Sequence, residues 1–210
     1  MKVTILGATG ATGTHLVEQA IAQGHAVTAL VRKAGSMGRL GDRVSVIEGD
    51  VLARETLRPA IEGRDAVLSA LGPPRNNSGD PRTVEAVGNV VATLGAVGVR
   101  RLIFLSAFGV GDSRAQTSLL FRLVAFRVLS LQALYANKEQ EEEIIRRSPG
   151  LDWTIVRAAH LTDKPARGAC RVIEGRGKLV EGIARADVAR FMLAQLTDDR
   201  YVGKAVSIAW

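Results

Sequence analysis

The 210 residues predict an α/β fold, a doubly wound parallel sheet in a single domain. Three observations predict it. Short apolar runs alternate with helical stretches along most of the chain. The runs are nearly continuous in apolar character, as in strands buried on both faces of a parallel sheet. No linker-like stretch divides the chain, and its length suits one large domain.

The elements follow in order. Residues 2–6, Lys-Val-Thr-Ile-Leu, read as a first strand ending at Gly7. A helix is expected over 13–23, with Gly24 as its stop. Residues 26–31 and 44–47 are short, apolar and rich in β-branched side chains, and read as strands. A helix over 53–62 precedes Gly63, and a fourth strand is expected over 65–71. The helix over 82–97 again closes on a glycine, Gly98. Strands over 102–105 and 152–156 complete the parallel series. Residues 157–185 contain glycines and a proline with little periodicity, and read as long loops with short strands. A helix over 185–196 and a strand over 205–209 close the chain. Ligands of open α/β sheets lie at the carboxyl ends of the strands, so 157–210 should contribute the substrate side.

Composition excludes several classes. Hydrophobic residues are 47% and charged residues 23%, which excludes a disordered or fibrous chain. The one cysteine, Cys170, excludes an intramolecular disulfide framework and suits a reducing, cytoplasmic setting. The N-terminal apolar run is too short and glycine-rich for a signal peptide, and no apolar run is long enough for a membrane span. The net charge of +7 is spread along the chain, and aromatic content is only 4%, which argues against nucleic acid as the partner. Three dispersed histidines and one cysteine offer no metal-ligand spacing. Ser106 lacks a G-x-S-x-G elbow, which argues against a hydrolase.

The strongest motif is Gly7-Ala8-Thr9-Gly10-Ala11-Thr12-Gly13, between the first strand and the first helix. Glycine permits the tight turn, and Gly10 lets backbone approach a pyrophosphate. Gly13 lets the helix pack close to the sheet, and the helix N-terminus offers N–H groups and partial positive charge. The second strand then ends in Arg32-Lys33, where an NAD site would carry an acid for the ribose 2′-OH. A guanidinium suits a 2′-phosphate, so NADP(H) is the expected cofactor; the alternative is that Arg32 and Lys33 are solvated loop charges. Asp50, after the third strand, stands where it could accept from the adenine amino group or cap the next helix.

These motifs, with Gly49-Asp50-Val51, Leu71-Gly72, Leu105-Ser106-Ala107-Phe108, Gly150-Leu151-Asp152-Trp153, His160 and Asp187-Val188-Ala189-Arg190-Phe191-Met192, carry a likeness over nearly the whole chain. The sequence resembles the Rossmann-like atypical short-chain dehydrogenase/reductases. Within them it is most similar to the flavin reductase and biliverdin-IXβ reductase group and to NmrA-like NAD(P)H-binding proteins. The resemblance implies that Gly7 to Thr12 hold the pyrophosphate, Arg32 the 2′-phosphate, and Asp50 with Val51 the adenine. It places Leu71 and Gly72 along the ribose and pyrophosphate, with Arg75 nearby. Ser106 would lie beside the nicotinamide and His160 near its carboxamide. Tyr135 and Lys138 are three residues apart, so the Tyr-x-x-x-Lys pair of many short-chain dehydrogenases is absent. Lys138 falls where the flavin reductase group has histidine and could bond the nicotinamide ribose; Ser106 and Lys138 are the candidate catalytic residues.

Loss of a tyrosine acid matters little when hydride passes to a ring and solvent supplies the proton. The expected activity is therefore NADPH-dependent reduction of a flavin, quinone or similar planar acceptor, by a monomer or homodimer. The alternative is a non-catalytic NADP(H) sensor that binds a partner protein. A nucleotide-sugar epimerase is disfavoured by chain length and the missing tyrosine motif. Residues 119–136 are strongly apolar without a clean amphipathic face, and three roles stay open: core, lid or dimer surface, and membrane contact. Lys138 to Arg147 reads as a solvated helix face with i,i+4 pairs, and Asn137 with Gln140 as a capping-box analogue. His15 and His25 are expected at the surface.

Overall fold

The computed structural model describes residues 1–73, 77–117, 129–173 and 181–210. The apolar runs become strands β1 (Lys2–Leu6), β2 (Ala26–Val31), β3 (Ser45–Glu48), β4 (Ala66–Ser69), β5 (Arg101–Ala107) and β6 (Asp152–Ala158). The short β7 (Leu161–Thr162), β8 (Arg171–Val172) and β9 (Ile183–Ala184) come from the irregular region, and β10 (Lys204–Ala209) ends the chain. The main sheet runs β3-β2-β1-β4-β5-β6-β10-β8. Every pairing in it is parallel except β10 with β8. β7 and β9 form a separate parallel pair. The strand order reverses at β1, whose neighbours are β2 and β4, so the crevice at that switch point lies beyond the β1 carboxyl end.

The two faces are covered by different helices. Helix α1 (Ala11–Ala22) packs against α5 (Arg185–Ala194) on one face. On the other, α3 (Arg82–Val97) lies between α2 (Arg54–Ile61) and α4 (Leu129–Arg146). Alternate residues of each strand serve opposite faces. Ile103 and Leu105 join a core with Leu16, Val17, Val188 and Met192, whereas Leu102 and Phe104 join one with Leu57, Val90, Leu94 and Ile145. That double burial is why the strands read as continuous apolar runs. Glycine ends α3 because Gly98 sits at φ 75°, a left-handed cap costly to a side chain.

Two expectations need correction. The helix face over 138–147 is divided: Glu139, Glu143, Arg146 and Arg147 are exposed and both i,i+4 pairs form, but Lys138, Glu141 and Glu142 are buried, because α4 lies against α3, β5 and β6. Asn137 and Gln140 do not cap a helix, since both lie inside α4; Asn137 Nδ2 donates to the Asp80 carbonyl at 3.1 Å. His15 and His25 lie at the surface, each partly covered. Of the apolar stretch 119–136, residues 119–128 lie outside the described residues, and its remainder belongs to α4. Among the described residues no helix is long and apolar enough to cross a membrane.

Candidate functional site: a crevice along the carboxyl ends of six strands

The glycine turn is held by close backbone contact. Gly7 has φ +77°, and a Cβ there would stand 2.7 Å from the Ala70 carbonyl oxygen. A Cβ on Gly13 would stand 1.9 Å from the Gly7 carbonyl oxygen, so any side chain would push α1 off the turn. Gly10 is the N-cap of α1 and brings no side-chain acceptor, and the first turn holds no acidic residue. The first-turn N–H groups are therefore left for an anion, with the dipole end behind them. In the next strand the buried Ser69 hydroxyl has no hydrogen-bond partner among the described residues. Bare backbone, an uncapped helix and an orphaned hydroxyl together fit the diphosphate of a dinucleotide.

At the β2 end, Arg32 and Lys33 are exposed, and among the described residues neither forms an ion pair. The nearby carboxylate, Glu48, is turned to the backbone and accepts from Ala34 N–H at 3.0 Å. After β3, Asp50 does not cap α2, whose N-cap is Ala53. Its carboxylate accepts from Leu52 N–H at 3.0 Å, closing its own turn. Thr56 Oγ1 donates to the Asp50 carbonyl at 2.7 Å, and Asn89 Nδ2 donates to the Val51 and Leu52 carbonyls at 3.3 and 3.1 Å. The segment expected to face adenine is thus tied down from two helices.

Leu71 and Gly72 follow β4, Ser106 stands near the end of β5, and His160 is exposed two residues past β6. The fold therefore brings Gly7 to Gly13, Arg32, Lys33, Asp50, Val51, Leu71, Gly72, Ser106 and His160 to one edge of the sheet. Arg75 lies outside the described residues.

The two candidate catalytic residues are engaged inside the protein. Lys138 Nζ donates to Glu141 Oε2 at 2.6 Å and to the Leu71 carbonyl at 3.3 Å, and lies 4.9 Å from the Phe104 ring centroid. It thereby fixes the loop beyond β4. Ser106 Oγ donates to Glu142 Oε1 at 2.7 Å. Tyr135 OH donates to the Phe108 carbonyl at 3.2 Å, and burial raises its pKa.

Sequence reasoning missed the centre of this cluster. Arg157, on β6 in register with Ser106, is 2% exposed. Its Nε and Nη2 donate to Glu142 at 2.9 and 2.6 Å, and its Nη1 lies 2.7 Å from Asp112 Oδ1. Burial alone would lower the pKa of Arg157; Glu142 and Asp112 outweigh it and raise it. Asp112 shows the converse balance, with burial opposing but Arg157 holding its carboxyl below the usual range. A signal was present: an arginine interrupts the apolar run Ile155-Val156-Arg157-Ala158, and a charge inside a buried strand requires a buried counter-charge.

Comparison with known proteins agrees with this fold. A family described as NAD(P)H-binding matches residues 7–199. A chloroplastic protein of Arabidopsis thaliana is 32% identical over 216 residues, covering 99% of this chain and 76% of that protein. The photosystem II assembly factor Ycf39 of Synechocystis is 35% identical over 111 residues, half of this chain and 33% of the factor, so the chain matches only about a third of that relative. Among solved structures, ChuY, an anaerobillin reductase from Escherichia coli O157:H7, superposes with TM-score 0.82 at 23% identity, covering 100% of this chain and 97% of that one. A short-chain dehydrogenase/reductase from Veillonella parvula in complex with NADP gives TM-score 0.83 at 21% identity over 100% and 94% of the two chains. At those identities the likeness is one of fold.

Proposed function

The chain belongs to the NAD(P)H-binding family, and on that premise we propose that it is an NADPH-dependent oxidoreductase passing hydride to a flavin, a quinone or a similar planar acceptor. One observation carries the choice of NADPH. The β2 end presents Arg32 and Lys33 to solvent, while Glu48 is occupied by the Ala34 N–H. A guanidinium there favours a 2′-phosphate by charge and by its planar fork of donors. The anaerobillin reductase activity named for ChuY lends support to a large planar acceptor. When bound, the nicotinamide would supply the hydride. The residues of this chain would bind the nucleotide, orient it and exclude water.

A second reading, a non-catalytic NADP(H) sensor, is favoured by one observation. Ser106 and Tyr135 commit their single protons, and Lys138 two of its three, to protein groups. Titration with NADPH and NADH, repeated with Arg32→Ala, tests the cofactor. The expected result is a preference for NADPH that drops about tenfold or more in the variant, as for one lost charge-assisted hydrogen bond of about 1.5–3 kcal/mol. Equal affinity of the unaltered protein for both nucleotides would remove the argument. NADPH oxidation with added FMN separates enzyme from sensor: binding without turnover on any planar acceptor favours the sensor.

A further inference from the structure

The hydrogen bonds around Ser106 specify more than its position. A serine hydroxyl has one proton to donate and two lone pairs to accept with. The proton of Ser106 goes to Glu142 Oε1 at 2.7 Å. That direction follows from the partners of Glu142. Oε1 also accepts from Arg157 Nε at 2.9 Å, and Oε2 accepts from Arg157 Nη2 at 2.6 Å and Arg146 Nη2 at 3.4 Å. A carboxylate gripped by two guanidinium groups is an acceptor only, so the hydroxyl must be the donor. Glu142 is 2% exposed, which leaves no bulk water to take over its role. The arrangement is rigid as well. Arg157 is held from the far side by Asp112 at 2.7 Å, and a Cβ on Gly111 would stand 2.9 Å from Arg157 Nη2, so the loop after β5 lies directly on the guanidinium.

We infer that Ser106 meets its ligand solely as a hydrogen-bond acceptor, positioned by Glu142 and Arg157, and selects for a ligand N–H at the end of β5. This rests on the nucleotide-dependent function proposed above. Ser106 is then a positioning residue, not a proton donor to a carbonyl. Two groups of one chemistry could supply the N–H: the carboxamide of the nicotinamide, or a lactam or imide N–H on a planar acceptor. A ligand offering a carbonyl at that point leaves two lone-pair bearers face to face, and is disfavoured.

Two ligand pairs distinguish the sources. The first is NADPH against its reduced 3-acetylpyridine analogue, in which a methyl replaces the amide nitrogen, read as binding affinity. The second is lumiflavin against N3-methyl-lumiflavin, read as KM in NADPH oxidation. The unaltered protein should prefer the N–H member of at least one pair by about fivefold, the value of one net hydrogen bond. Ser106→Ala should erase that preference. Loss on the nucleotide pair assigns the carboxamide, and loss on the flavin pair assigns the acceptor. Glu142→Gln tests the positioning. Arg157 would keep the amide oxygen, the amide nitrogen would donate to Ser106, and the freed hydroxyl would donate to the ligand. The preference should then reverse toward the member lacking N–H. Ser106→Ala leaves the Glu142–Arg157 pair in place, so the test survives if Glu142→Gln does not fold. Retention of both preferences in Ser106→Ala overturns the inference, and so does loss in that variant of a proton-donor limb in the pH profile of kcat. Failure of the unaltered protein to bind NADPH would defeat the proposed function itself. Binding without discrimination in either pair would defeat only the role assigned to Ser106.

Discussion

The crevice has two ends made of different material. At the β1 end the ligand-facing surface is backbone: a turn with glycine at Gly7, Gly10 and Gly13 and an uncapped helix. At the β5–β6 end it rests on side chains, with Ser106, Glu142, Arg157 and Asp112 joined through charge-assisted hydrogen bonds. Backbone N–H groups at a helix start suit any diphosphate and carry little discrimination. A buried ionic cluster costs desolvation and holds one geometry, which suits a place where a reacting ring must be oriented. On the function proposed, the first end would serve general capture and the second would carry specificity for the reacting ring.

If that contrast is right, damage to the second end should be the more costly to the fold. Glu142→Ala leaves Arg157 buried with only a solvent-exposed partner, and should lower unfolding free energy by about 3–5 kcal/mol. The pair Arg157→Met with Glu142→Leu should recover most of that loss, because an apolar replacement removes both desolvation terms. Chemical denaturation measures both, and a double variant as unstable as the single one would break the comparison.

Gly13→Ala probes the first end. Its Cβ would stand 1.9 Å from the Gly7 carbonyl oxygen, so α1 must shift. We expect a loss of about 1–3 kcal/mol, typical of overpacking, with NADPH affinity lost in step. Thermal unfolding beside a nucleotide titration reads the two effects; an unchanged affinity would show that the turn does not approach the ligand.

Asp112→Asn sharpens the account of the cluster's rim. Arg157 holds the Asp112 carboxyl below its ordinary value of 3.8, against the opposing effect of burial. A carboxyl depressed in the folded state adds stability above its unfolded pKa and loses it as pH falls through the folded one. Because the Asp112 side chain is 79% exposed, the effect should be only about 0.5 kcal/mol at pH 7. The gap between variant and unaltered protein should close as pH is lowered below 3.8. A gap that widened in acid would reverse the assigned sign.

The smallest expected effect is chemical. Burial, aided by Asp187, pushes the Cys170 thiol up to about 11. A thiol with so little thiolate at neutral pH should react with iodoacetamide much more slowly than free cysteine. Rapid labelling of the folded protein would contradict that burial.

Much of the first end was legible in the chain. Gly7 to Gly13 are neighbours in sequence, and Arg32 follows directly on an apolar run, so local patterning was enough to read them. The second end was read less well, for a physical reason. Glu142 and Arg146 are separated by one helical turn and look like a surface pair. The burial of Glu142 depends on α4 packing over β5 and β6, and Arg157 reaches Glu142 only through that packing. The local pattern Asn137 to Gln140 was likewise overruled because α4 continues from Leu129. His160 and Ser106 are distant in sequence and share one edge only because β5 and β6 pair in parallel.

By itself, then, the sequence determined the doubly wound sheet, the glycine turn and the cationic end of β2, since each follows from residues close along the chain. Only the tertiary structure decided that Lys138, Glu141 and Glu142 are interior, and that the Ser106 proton is committed to a carboxylate. Partner choice among buried charges depends on distances of a few ångströms between separate elements, and no one-dimensional pattern encodes those.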